Sequence, residues 1–254
     1  MLKPYYQDKW VTIYHGDCRQ LLPQLDVKVD LVITSPPFNM RARIRNGEYT
    51  ERERSEYFSK KYSEFHDAFP IEKYYELHKY LILEMLKLSP LLFIDIQIVT
   101  GSKEAWFRLV GDFNKNLKDI IIWDKGEGQP AMHESVLNRA SELILIFESN
   151  ATAGRAFSKS YFPRGTMSDI WRFGKGGVGN VDGHSALFPE KLVDHILIGW
   201  TLSNDLILDP FLGSGTTCYC AKKLNRYSIG IEISEKYCEI AAKRCSQEVM
   251  ELEI

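Results

Sequence analysis

Ser35, Pro36, Pro37 and Phe38 stand directly behind the apolar run at 29–34. Proline has no N–H to give a sheet ladder, so a strand must stop here. What remains at its tip is one hydroxyl, a backbone held extended by two adjacent rings, and an aromatic face. A second stretch, Asp209-Pro-Phe-Leu-Gly-Ser-Gly-Thr216, also ends an apolar run and opens a helical pattern. Gly213 and Gly215 permit a tight turn and a close backbone approach to a ligand, and the helix start beyond them favours an anionic group. A phosphate-binding loop requires Gly-Lys-Ser/Thr, but Thr216 follows Gly215; a dinucleotide fingerprint requires a third glycine where Cys218 stands. That disfavours NAD, and a third reading is S-adenosylmethionine, whose carboxylate can meet such a turn. Glu232 lies 17 residues past Gly215 and ends the next apolar run. A carboxylate there can accept from both ribose hydroxyls of a nucleoside.

Seven segments read as the strands that must carry these groups: 11–14, 29–34, 91–98, 118–123, 141–147, 206–209 and 227–232. Most are continuous apolar runs, as in strands buried on both faces of a parallel sheet. Helical patterns fall between them, at 72–88, 102–116, 189–203, 214–224 and 234–247. In the first, Tyr74, Leu77, Leu81, Met85 and Leu88 share one stripe. Ser234 sits where an N-cap belongs, with Glu235 in the first turn. The alternation predicts an α/β fold, a doubly wound and mostly parallel seven-stranded sheet, with ligands at the carboxyl ends of its strands. Two stretches break the rhythm. Residues 41–71 are charged and aromatic; residues 148–183 are rich in Gly, Arg, Ser and aromatics. Long irregular segments in a compact domain are commonly functional.

Composition is that of an ordinary globular protein, with 44% hydrophobic and 26% charged residues among 254. The net charge of −2 gives no global bias toward a polyanion, so any nucleic-acid contact must come from a local patch. Cys18, Cys218, Cys220, Cys238 and Cys245 lack a zinc spacing and read as reduced, buried thiols. The histidines show no ligand spacing, so no metal is expected. The first residues carry no signal-peptide core, and no run is long enough to span a membrane. A soluble, cytoplasmic protein is expected.

The two motifs together resemble those of the amino-methyltransferases that modify DNA bases at an exocyclic nitrogen. Their catalytic motif reads (Asp/Asn/Ser)-Pro-Pro-(Tyr/Phe), and their cofactor motif contains Phe-x-Gly-x-Gly. Here the catalytic motif comes first and the cofactor motif last, the circularly permuted order of the β group. The resemblance extends to Asp17 in "HGD", to "IIIWDKG", and to "HSALFPEKL" before the cofactor strand, and so covers most of the chain. In that last string His184, Phe188 and Pro189 match the family while the middle does not. The resemblance implies S-adenosylmethionine as cofactor, bound by Asp17, Thr34, His184, Phe188, Pro189, Asp209, Phe211, Gly213, Gly215, Thr216 and Glu232. Asp17 also reads as an N-cap for 18–24, and Asp209 as a brace for its loop.

The implied catalytic group is Ser35, Pro36, Pro37 and Phe38. An exocyclic amine is a poor nucleophile because its lone pair is delocalised into the ring. Acceptors that hold its two N–H bonds help it become tetrahedral. The Ser35 hydroxyl and the Pro36 carbonyl can be those acceptors, and Phe38 a face on which an extruded base stacks. Ser in place of Asp tilts the implied target toward cytosine N4, with adenine N6 as the alternative. Arg41, Arg43 and Arg45 directly follow the catalytic loop without balancing acids, and read as phosphate contacts. Arg164 and Arg172 lie in 148–183, where β-group enzymes carry their target-recognition region. Asp124 and Lys125 are expected to face the cleft. The implied organisation is one catalytic domain over 1–254, with a DNA-contacting insertion at about 41–71 and target recognition at about 148–183. The partner implied is double-stranded DNA; a cognate restriction endonuclease stays open, as do monomer and homodimer. Two rival readings are a methyltransferase acting on RNA or protein amides and an inactive DNA-binding subunit.

Overall fold

The computed structural model describes residues 2–40, 42–45, 48–51, 68–129, 134–150, 154–174 and 188–247. Strands β1 (Tyr6–Gln7), β2 (Val11–His15) and β3 (Leu31–Thr34) flank the short helix α1 (Cys18–Leu21). A separate ribbon, β4 (Ala42–Arg45) and β5 (Glu48–Glu51), precedes helix α2 (Ile71–Leu88). Strand β6 (Leu91–Ile96), helix α3 (Lys103–Asp112) and strands β7 (Leu117–Gln129), β8 (Arg139–Glu148) and β9 (Ile170–Arg172) follow. The chain continues through α4 (Glu190–Trp200), β10 (Leu206–Asp209), α5 (Thr216–Lys223), β11 (Tyr227–Glu232) and α6 (Glu235–Ser246).

All seven expected strands appear, side by side in the order β2-β11-β10-β3-β6-β8-β7. The short strands β1 and β9 extend the two edges to nine. The pairings from β2 to β6 are parallel, and β8 runs antiparallel to both β6 and β7. The fold is α/β, and the continuous apolar runs are explained by its two covered faces. Val32, Leu92, Ile94, Leu145 and Leu208 point to the core shared with α2 and α3. Leu31, Ile33, Phe93, Ile144 and Ile207 point to the core shared with α4 and α5. Alternate residues of one strand therefore feed opposite layers, as a period of two requires.

The expected helices are present, each starting or ending within a few residues of its predicted limits. The stripe on α2 holds: Tyr74, Leu81 and Met85 are buried, and Leu77 and Leu88 pack against them. Ser234 is the N-cap residue of α6, but its side chain makes no capping bond. Its N–H donates instead to Glu232, 2.9 Å away. Among the described residues no helix is long and apolar enough to cross a membrane.

Candidate active site

The parallel order sets β3 beside β10, so the tips carrying the two motifs meet although they are 175 residues apart. Thr34 donates to Asp209 Oδ1 at 2.8 Å across that junction. The loop after β3 is clamped on three sides. The Tyr74 hydroxyl donates to the Pro37 carbonyl at 2.8 Å. Asn39 is fully buried with φ of 57°, a conformation asparagine tolerates better than most residues. Its Nδ2 donates to the carbonyls of Phe69 and Gly101 at 2.9 and 2.7 Å, and its Oδ1 accepts from the Phe69 N–H. Pro36 is buried and Phe38 half-buried, while Ser35 and Pro37 line an open cleft.

That cleft is also lined by Gly16, Asp17, Phe211 and Glu232. Each Glu232 oxygen accepts one backbone N–H, from Gly213 at 2.8 Å and from Ser234 at 2.9 Å. A carboxylate oxygen has further lone-pair capacity, so the pair can still receive two hydroxyls from the cleft. Burial raises the Glu232 pKa, and the backbone donors offset this only in part. The start of α5 has no side-chain cap, and Arg244 donates to Thr216 there at 2.9 Å. Arg244 is itself paired with Glu190 at 2.7 Å, so the start of α5 offers its uncapped N–H groups rather than a free cation, and helix starts of that kind suit an anionic group.

The two glycines have different reasons to be there. Gly213 has φ of 55° and open space where a Cβ would stand, so its backbone conformation selects it. At Gly215 a Cβ would lie 2.8 Å from the Ala241 Cβ and 2.9 Å from its Cα. Close packing of the loop on α6 demands that glycine, and not only a ligand.

Asp17, Phe211 and Glu232 line the cleft among the residues expected to bind cofactor. Asp17 caps α1 through a bond from the Arg19 N–H at 2.9 Å, so the N-cap reading holds as well. Burial would raise its pKa, but the hydrogen bonds from Arg19 outweigh this and hold it below the ordinary value. Asp209 is a brace: it is 2% exposed and accepts from Thr34, from Thr217 at 2.6 Å and from the Phe211 N–H. Burial raises its pKa to about 6 against those bonds. Thr34 and Thr216 are buried in the same framework. Phe188 packs against the α4 and α5 core rather than lining the cleft, and Pro189 is the N-cap of α4. His184 lies outside the described residues.

The structure adds a cluster that local patterns did not single out as functional. Ser35 Oγ donates to Asp95 Oδ2 at 3.1 Å. Asp95 is 2% exposed near the carboxyl end of β6, and its Oδ1 receives no hydrogen bond. Its pKa is pushed well up, first by burial and then by the Glu142 carboxylate; Ser35 and Lys125 counteract less. Asp95 pairs across the sheet with Ile144, so Glu142 is its diagonal neighbour on the same face. Glu142 in turn is bound by Lys125 at 2.7 Å, both buried. Lys125 therefore serves this internal pair. Asp124 caps the turn at Gly126 and meets Arg172 at 3.5 Å.

Arg164 and Arg172 are exposed, as DNA contacts require. Arg43 and Arg45 are described only as backbone of β4, and Arg41 lies outside the described residues, as do 52–67 of the insertion and 175–183 of the recognition region.

Residues 29–243 match the model of the N6/N4 methylase family described as DNA methylase. The type II methyltransferase M.BglII of Bacillus subtilis is 27% identical over 93% of this chain and 69% of its own length. M.ScaI of Streptomyces caespitosus is 28% identical, covering 98% and 86%. Among solved structures, the PvuII DNA methyltransferase (cytosine-N4-specific) superposes with a TM-score of 0.73 at 19% identity, over 97% of this chain and 90% of that one. The M1.HpyAVI–SAM complex gives 0.62 at 23% identity, over 93% and 100%.

Proposed function

This chain belongs to the DNA methylase family, S-adenosylmethionine-dependent enzymes that methylate cytosine N4 or adenine N6, and we propose that its own target is cytosine N4 in a base extruded from duplex DNA. The observation that carries the reading is the bond from Ser35 to Asp95 in the wall of the cleft that Glu232 also lines. By donating its proton inward, the Ser35 hydroxyl keeps its lone pairs for an incoming amine N–H. The Pro36 carbonyl, one residue upstream of the clamped Pro37 carbonyl, serves as the second acceptor. Two acceptors on the two N–H bonds favour a tetrahedral nitrogen whose lone pair can attack. S-adenosylmethionine supplies a methyl group on a cationic sulfur, the electrophile of the reaction. The rigid loop matters because an attack needs the reacting atoms about 3–3.5 Å apart and aligned.

The cytosine preference rests on the Ser form of the motif and on likeness to a fold neighbour that is cytosine-N4-specific. Adenine N6 offers the same two N–H bonds and is the competing target. The chain works as one catalytic domain, with 41–71 and 148–183 facing the DNA. Duplex DNA incubated with the protein and S-adenosylmethionine, digested to nucleosides and weighed by mass spectrometry, is expected to contain N4-methylcytosine. N6-methyladenine as sole product would reverse the choice of base. No methylated base in DNA, with methylated RNA or protein in its place, would reverse the choice of substrate.

A further inference from the structure

The two strands of the β7–β8 hairpin outrun the rest of the sheet. Strand β8 pairs with β6 only as far as Ile96–Leu143, yet it starts at Arg139, four residues further out. At about 3.4 Å per residue the hairpin rises roughly 14 Å beyond the end of β6. It rises on the catalytic side. Strand β6 is parallel to β3, so its free end and the Ser35 loop share one edge of the sheet. Two strand spacings, about 10 Å, separate β8 from β3.

The turn between the two strands is described over 134–138, and all of these residues are exposed, two of them aliphatic. Leu137 is 83% exposed and Val136 58% exposed. A single exposed aliphatic needs no explanation, but this adjacent pair, just beyond the outer end of β8, joins none of the hydrophobic clusters of the described residues. The foot of the arm carries cations. Arg139 is exposed where β8 begins. Arg172, three-quarters exposed, stands on β9 and pairs at 3.5 Å with Asp124 of β7, leaving most of its guanidinium open to solvent. Glu134, also exposed, lies two residues before Val136. An apolar tip above a cationic foot fits a polyanion with an apolar interior, which is a duplex with stacked bases.

We propose that Val136 and Leu137 enter the duplex beside the target and fill the space that the extruded base vacates. This rests on the reading that a base is extruded at all. Extrusion leaves the neighbouring bases unstacked on one side and the orphaned partner base free to let the target return. Aliphatic side chains in that gap restore contact and block the return, while Arg139 and Arg172 hold the flanking phosphates.

The test uses the full chain and duplex oligonucleotides bearing its methylation site, identified beforehand by methylation-sensitive sequencing. Single-turnover methylation is compared for the wild-type protein and the Val136→Ser/Leu137→Ser double variant. One duplex is fully paired; the other has an abasic site opposite the target base, so that extrusion is already favoured. The variant should be slower by roughly tenfold or more on paired DNA and should return to within about threefold of wild type on the abasic duplex. Calorimetry with S-adenosylmethionine should find its affinity unchanged. Equal losses on both duplexes would overturn the proposal, since they mean a general DNA contact. Undiminished rates on paired DNA would overturn it too, as would a wild-type dimer that the substitution turns into monomer by sedimentation. Wild-type protein unable to methylate paired duplex would instead remove the reading beneath it.

Discussion

Replacing Asp95 by asparagine separates two ways in which a carboxylate behind Ser35 could act. If Asp95 only orients the serine, asparagine can take over, because its carbonyl oxygen can accept the same 3.1 Å bond from Ser35 Oγ. Its amide then takes the place of Oδ1, which receives no hydrogen bond, and the neighbouring Glu142 carboxylate is an available acceptor. The exchange substitutes a neutral acceptor for a charged or shared one. One altered hydrogen bond is worth about 0.5–1.5 kcal/mol, or roughly 2- to 13-fold in rate. Alanine at 95 removes the acceptor altogether and frees the hydroxyl to turn its proton toward the amine, so a larger loss is expected. If instead Asp95 must take up the proton released by the methylated amine, asparagine is as damaging as alanine. The assay is single-turnover methyl transfer at saturating cofactor, across pH, with thermal melting as a control for folding. Asp95→Asn should stay within about 13-fold of wild type, ahead of Asp95→Ala. An Asp95→Asn protein as slow as Ser35→Ala, with cofactor affinity and melting temperature intact, would refute the orienting role.

Glu232→Ala should weaken S-adenosylmethionine binding by about 1.5–3 kcal/mol, the value of hydrogen bonds to a charged group, and calorimetry on the folded variant reads it directly. Substituting Arg41, Arg43 and Arg45 together by alanine should flatten the salt dependence of DNA affinity, lowering the log–log slope by about 0.9 for each phosphate that is no longer neutralised; an unaltered slope would mean that the segment is solvent-facing only. Asp209 has a folded pKa raised to about 6 from 3.8, so the folded state holds its proton longer than the unfolded chain. Stability is then highest below pH 4 for this group and falls as pH rises toward and past 6, by about 3 kcal/mol in all. Denaturant unfolding at pH 4 and pH 7 should show that drop in wild type and lack it in Asp209→Asn.

The strands were legible in the sequence because burial on both faces writes itself locally, as runs such as 91–96 and 206–209 with hardly a polar break. The two motifs were legible for a similar reason, since proline and glycine act on the backbone of their own few residues. Glu232 could be found by its distance from Gly215 along the chain. What no local pattern contains is who sits beside whom. Asp95 is one polar residue in an apolar strand, and only the pairing of β6 with β3 and β8 sets it against Ser35 and near Glu142. Lys125 looked like a cleft residue and is consumed by that same cluster. Gly215 looked like a ligand glycine, and the approach of Ala241 from α6 explains it as well. Phe188 reads from the motif as a cofactor contact, and only the fold shows that it also packs, partly buried, against the α4 and α5 core. Periodicity and turn chemistry are properties of neighbours in sequence, so the chain by itself determines its elements and their tips. The surroundings of a buried charge depend on strand order, which only the assembled sheet decides.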